Sequence, residues 1–176
     1  MHKNVLFAGF GGQGVLFSGR VLANAGLCGG FEVSWFPSYG PETRGGTSNC
    51  SVVIADRAIG SPLVINPDIL IAMNLPSYDK FIGEVAQGGI AIMDASLIDR
   101  DCERDDISAY KLHATTKAES ENLGGLANMI LLGKLFSLLE TFGDDVIEEA
   151  VKRSVSAERL DLAKRNLAAI NIGKNL

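Results

Sequence analysis

The spacing of apolar and polar positions changes several times along this chain, and each change predicts an element. "NVLFA" (residues 4–8) is a short apolar run stopped by glycine, as in a strand buried on both faces. After a glycine-dense turn, Val15, Leu16, Gly19, Leu22, Ala23, Ala25 and Gly26 recur at helical spacing until Gly29-Gly30 ends the pattern. "FEVSWF" (31–36) then alternates like a strand. These segments predict a β-α-β unit whose two strands lie side by side.

"TSNCSVVIA" (47–55) predicts another strand. The segment 37–46 before it is polar, glycine- and proline-rich, and too short for a parallel crossover. An antiparallel neighbour, or a place elsewhere in the sheet, is therefore expected. "ADRAIGSPLVI" (55–65) has the punctuation of a hairpin. "DILIAM" (68–73) and "GIAIMDA" (89–95) predict buried strands, with a helix opened by Pro76 running between them to about Ala86. "ISAYKLHA" (107–114) alternates and predicts an edge strand. Everything after Thr115 predicts helix, with breaks near Gly143 and Ser154.

Two helical stretches carry further expectations. Over 126–139, Leu126, Met129, Ile130, Leu132, Leu135, Phe136 and Leu139 leave almost no polar face, so an interface with another body is expected nearby, with a helix central to its own domain as the alternative. In the last helix, Leu160, Ala163, Leu167 and Ile170 form one stripe. The expected fold class is α/β: a mixed, mostly parallel sheet flanked by helices, with a helical C-terminal third. One domain is expected over 1–176, with a sheet portion at 1–114 and a helical portion at 115–176.

Composition narrows the function. Apolar residues make up 47% and charged residues 21%, which suits an ordinary folded domain. A net charge of −5 without a basic cluster argues against a nucleic-acid binder. Cys28, Cys50 and Cys102 form no C-x-x-C pair, so neither a zinc knuckle nor a cluster-binding run is expected; buried thiols in a reducing compartment are. The apolar stretch 123–139 is interrupted by Lys134, Asn128 and three glycines. It falls short of the ~20 mostly apolar residues of a membrane span. "MHKN" leaves no room for a signal peptide, and a cytoplasmic location is expected.

Gly9, Gly11 and Gly14 match G-x-G-x-x-G between a predicted strand and a predicted helix. Bare backbone N–H groups and a helix N-terminus suit a phosphate there. Gly12 bares the loop further, and Gln13 could offer an amide to a ligand. A dinucleotide site also wants an acidic residue at the end of the second strand. Glu32 comes too early for that role and Glu42 lies in the following loop, so NAD loses its second support. A tight turn with no ligand is the plain alternative.

"SYGPETRGGTS" (38–48) sets Arg44 beside Gly45-Gly46, a fork of donors next to bare backbone. Both loops are expected at the carboxyl edge of the sheet, where open α/β sheets bind ligands. Asn74 and Asp94, each following a strand, could line the same edge. His2 and His113 lack a partnered acid or nucleophile. Ser18, Ser38 and Ser48 are expected to cap or turn the chain, and "DRDCERDD" (99–106) to be a solvated turn. No catalytic set emerges, so the chain reads as the binding part of something larger.

"GFGGQGV" (9–15), "SGRVLANA" (18–25), "SYGPETRGGTS" (38–48) and "NPDILIAMN" (66–74) together resemble the gamma subunit of 2-oxoacid:ferredoxin oxidoreductases, a module also found as a domain of pyruvate:ferredoxin oxidoreductases. The likeness runs from about Val5 to the C-terminal helices. It implies a complex that converts a 2-oxoacid and coenzyme A to acyl-CoA, carbon dioxide and reduced ferredoxin. It implies thiamine diphosphate and iron–sulfur clusters on partner subunits; "GDD" (143–145) lacks the following asparagine of a thiamine-diphosphate site. It implies further that Gly9, Gly11, Gly12, Gln13, Gly14, Tyr39, Gly40, Arg44, Gly45, Gly46 and Asn74 approach coenzyme A or the subunit seam. The compact form looks most like the 2-oxoglutarate type, with branched-chain and indolepyruvate relatives also fitting. A small NAD-dependent dehydrogenase and a ligand-free assembly module are the competing readings.

Overall fold

A computed structural model of the chain describes residues 1–39, 47–156 and 158–176. Its centre is a sheet of β1 (His2–Phe10), β2 (Glu32–Tyr39), β3 (Thr47–Ala55), β4 (Ile69–Ala72), β5 (Ile90–Asp94) and β6 (Ser108–Leu112), in spatial order β2-β3-β1-β4-β5-β6. Strands β1, β4, β5 and β6 run parallel, and β3 is antiparallel to both its neighbours. The helices are α1 (Val15–Cys28), α2 (Leu75–Phe81), α3 (Ala114–Ser120), α4 (Ala127–Leu139), α5 (Asp144–Ser154) and α6 (Leu160–Lys174). The mixed α/β class read from the sequence is the class found.

Alternation along the strands sorts the core into two layers, because successive side chains point to opposite faces. Val5, Phe7, Ile69, Ile71 and Ile92 join α1, α4, α5 and α6 in the large core. Leu6, Ala8, Leu70, Ala72 and Met93 meet Tyr78 and Phe81 of α2 in a small one.

Several expectations need correction. β1 and β2 are not neighbours: β3 returns between them, since the 40–46 connection is too short for a crossover. Antiparallel pairing on both sides of β3 still leaves β1 and β2 pointing the same way, with Phe10 opposite Thr47 and Tyr39 opposite Ser48. The hairpin expected at 55–65 is irregular chain, because Pro62 and Gly60 leave no run long enough to pair. The Pro76 helix ends at Phe81 and continues only as a 3-10 turn, Ile82–Glu84. A break at 121–126, unmarked in the sequence reading, separates α3 from α4.

The apolar helix α4 finds its cover within its own chain. Met129 to Leu132, Leu135 and Phe136 are buried without any partner molecule. Its closest neighbour is α6, and the two touch backbone to backbone. A Cβ on Gly133 would strike the Ile170 carbonyl, and one on Gly173 the Ile130 carbonyl. The buried stripe of α6 is therefore Ala163, Asn166, Ala169, Ile170 and Gly173. Leu160, expected in that stripe, is 62% exposed because it sits in the first turn, away from that crossing.

The 99–106 loop is less free than its charge suggested. Arg104 donates to the carbonyls of Ile82 and Val85 and to Asp106, which pins the loop beneath the 3-10 turn. Among the three thiols only Cys50 is fully buried; Cys28 and Cys102 are half-buried.

Candidate functional site

The ends of β1, β4 and β5 and the starts of α1, α2, α3 and α4 meet at one edge of the sheet. The glycine turn is its centre. Gly12 and Gly14 take positive φ, 91° and 79°, a conformation that costs a side-chain-bearing residue free energy. Gly14 is also hemmed in by Asn128 of α4, and a Cβ on Gly9 would lie 2.8 Å from Gln13 Oε1. These three glycines are required by their own chain.

Gly11 is different. Its φ is not positive, and a Cβ there would meet none of the described residues within 4 Å. Among the described residues, neither packing nor backbone geometry gives a reason for glycine at this exposed position.

Gln13 is committed inside the chain rather than outward. Its Oε1 accepts from the Phe10 N–H and the Asn74 Nδ2, each at 2.7 Å, and its Nε2 donates to the Met73 carbonyl at 3.0 Å. Asn74 in turn caps α2, its Oδ1 accepting from the Ser77 N–H at 2.9 Å. One amide thus ties the turn to the end of β4 and the start of α2. Only the backbone of the turn faces outward.

Below the turn, Asn128 (4% exposed) donates from Nδ2 to the Gly14 carbonyl and to Ser18 Oγ. Ser18, expected to cap or turn the chain, is instead buried within α1, its hydroxyl bonded back to Gly14. Ser38 and Ser48 lie within β2 and β3. Asp94 is buried at the end of β5, where it accepts from the Ser96 and Thr115 N–H groups and the Thr115 hydroxyl, so it caps α3.

Two basic side chains flank the turn. Arg20 lies over the Phe17 ring, 5.5 Å from its centroid, beside an open trough that runs past Phe10, Gly11 and Gly12 to Ser48. Lys80 donates to the Thr47 hydroxyl at 3.1 Å, next to Phe10 across the β1–β3 register. Neither has a carboxylate partner among the described residues. The N–H groups of Val15, Leu16 and Phe17, at the start of α1, also have no bonded partner among the described residues. Free donors, bare backbone and two cations suit an anionic ligand. Gly40, Arg44, Gly45 and Gly46 lie outside the described residues, as does the side chain of Tyr39.

The thiols do not fit an iron–sulfur cluster. Burial pushes the Cys50 thiol up to about 12, and Cys28 and Cys102 lie in separate elements. No group of three His, Cys, Asp or Glu among the described residues could hold a metal ion.

The pyruvate ferredoxin/flavodoxin oxidoreductase family model matches residues 4–176. The chain belongs to that family. It is 36% identical to the 2-oxoglutarate synthase subunit KorC of Methanocaldococcus jannaschii, covering 98% of this chain and 92% of that protein. It is 40% identical to the ketoisovalerate oxidoreductase subunit VorA of Methanothermobacter marburgensis, over 88% of this chain but 32% of that one. The chain thus spans about a third of the length of the VorA relatives it matches. A keto/oxoacid ferredoxin oxidoreductase gamma subunit from Geobacter sulfurreducens has the same fold, with a TM-score of 0.83 at 26% identity over 98% of this chain and 96% of that one. The 2-oxoglutarate:ferredoxin oxidoreductase of Magnetococcus marinus, solved with 2-oxoglutarate, coenzyme A and succinyl-CoA bound, shares the fold at a TM-score of 0.87. There the identity is 22%, over 99% of this chain and 30% of that one.

Among the described residues, no helix is long and apolar enough to cross a membrane.

Proposed function

We propose that the chain is the gamma subunit of a cytoplasmic 2-oxoacid:ferredoxin oxidoreductase and that its glycine turn contacts coenzyme A. Thiamine diphosphate and the iron–sulfur clusters belong to partner subunits in this reading, since the thiols here do not converge. The end-to-end likeness to KorC subunits favours 2-oxoglutarate as the acid.

The observation that carries the coenzyme contact is Gly11. Glycine there leaves a patch of backbone on the crest of the turn that no described side chain covers, open to the close approach of a second body. The three N–H groups at the start of α1 that have no partner among the described residues, with Arg20 and Lys80 near the turn, supply the donors and charge for the coenzyme's phosphates. Coenzyme A supplies the thiol that accepts the acyl group. This chain's residues hold and orient its charged end. The internally bonded Gln13 keeps the turn rigid for that purpose.

The test is anaerobic affinity isolation of the chain from its native cells, with subunit identification and turnover of individual 2-oxoacids. Partner subunits with iron–sulfur absorbance, and coenzyme A-dependent oxidation of 2-oxoglutarate above 2-oxoisovalerate, are the expected result. A colourless chain recovered alone would contradict the subunit reading.

A further inference from the structure

We propose that β2 is a docking edge for a second copy of this chain, the two copies joining their sheets by antiparallel pairing of β2 with β2 about a two-fold axis. The proposal is independent of the coenzyme A reading above. β2 is the last strand of the sheet, with β3 on one side and no described strand on the other. Such an edge offers unpaired N–H and C=O groups to any extended chain, and folds commonly blunt it with charge or cover it. Over Glu32 to Ser38 the one charged residue is Glu32, at the end of the strand. In the middle stand Trp35 and Phe36, 40% and 41% exposed.

The two aromatic side chains straddle the edge. Trp35 lies on the α1 face, where its Nε1 is 3.1 Å from the place of a Cβ on Gly19. Phe36 follows it and points to the opposite face. Pro37 shows which backbone groups point outward. It has no N–H to give to the ladder, so a strand accommodates it where that position faces away from the neighbour. Alternation then turns the N–H and C=O groups of Val33 and Trp35 outward as well.

A second copy fits these positions. With Trp35 opposite its counterpart, the strand overlaps along its length, Val33 against Pro37, Ser34 against Phe36 and Glu32 against Ser38. No like charges then face each other. The two Trp35 residues exchange both of their main-chain bonds, and each Val33 N–H reaches a Pro37 carbonyl. The aromatics anchor both faces of the junction, near its centre, where binding energy concentrates. Two strands of eight residues with these side chains bury on the order of 1,000 Å², the size that a specific interface has to reach. Two-fold dimers are also the commonest closed assembly of identical chains.

Trp35 is the single tryptophan of the chain, so its emission reports this edge alone. The experiment follows the full chain by sedimentation and by tryptophan emission between about 1 and 100 μM. A monomer-to-dimer transition is expected, with a blue shift of the emission over the same concentrations. Phe36→Lys should raise the dimer dissociation constant by at least ~100-fold and leave the circular dichroism of the chain unchanged. Ser34→Lys, which meets Phe36 of the other copy, is the second variant should Phe36→Lys not fold. A monomer at every concentration would overturn the proposal, as would a dimer whose formation leaves the Trp35 emission unchanged. An emission shift seen only on adding other subunits would overturn it too, by giving the edge to a different chain.

Discussion

The Asn128 side chain donates to the Gly14 carbonyl at 3.2 Å, and so locks the first turn of α1 to the first turn of α4 across 114 residues of chain. The same amide fills the space that a Cβ on Gly14 would need. Gly14→Ala therefore meets two obstacles at once, a left-handed backbone at φ 79° and a steric clash. A loss of about 2–4 kcal/mol in urea unfolding is expected. A loss below ~0.5 kcal/mol would show that the two helix starts are not locked as described.

The crossing of α4 and α6 is equally intolerant, for a different reason. Neither Gly133 nor Gly173 has positive φ, so their requirement is close approach alone. Ala has the better intrinsic helix propensity, by up to ~1 kcal/mol. Gly173→Ala should nonetheless destabilise by about 1–3 kcal/mol, because backbone atoms of Ile130 cannot move aside as a flexible side chain could. A stabilised variant would mean the helices are further apart than described.

Cys50 gives the fold an alkaline weakness. Its thiol is pushed up to about 12 by burial, opposed by a bond to Trp35, whereas in the unfolded chain it ionises near its ordinary value of 9.0. A group whose pKa is raised on folding contributes its full stability below the unfolded value and loses it as pH climbs toward the folded one. Unfolding midpoints should therefore fall between about pH 9 and 12, more steeply in the parent than in Cys50→Ala. At pH 8, Cys28 and Cys102 should react with a thiol reagent well before Cys50. Equal rates for all three would contradict the buried placement.

Much of the sheet is legible in sequence because buried strands advertise themselves as apolar runs, and β1, β3, β4 and β5 each fall within a residue or a few of the expected bounds. Strand order is not legible in the same way. That β3 lies between β1 and β2 follows from the shortness of 37–46, which excluded a parallel crossover without choosing between an antiparallel neighbour and a remote place. The site is legible as glycines and opaque as side chains. Gly9, Gly11, Gly12 and Gly14 look alike in sequence. Gly9 and Gly14 are pressed by Gln13 and Asn128, Gly12 is bent, and Gly11 is unconstrained by any described residue. Asn128 gave no signal, since it stands inside an apolar helix and its partner Gly14 is distant in sequence. Arg20 and Lys80 carry no spacing signal that ties them to the turn. The arrangement of strand ends around the turn brings them to it.

Gly11 offers the most direct test of the central claim, because its substitution separates stability from binding. The melting temperature of the assembled complex would be followed with coenzyme A and with NAD, for the parent and for Gly11→Val. Coenzyme A should stabilise the parent, by about 2.7 kcal/mol at 100 times its dissociation constant, and NAD should not. Gly11→Val should melt where the parent does and lose the response to coenzyme A. A variant that keeps the full coenzyme A response, or a parent stabilised by NAD alone, would contradict that claim.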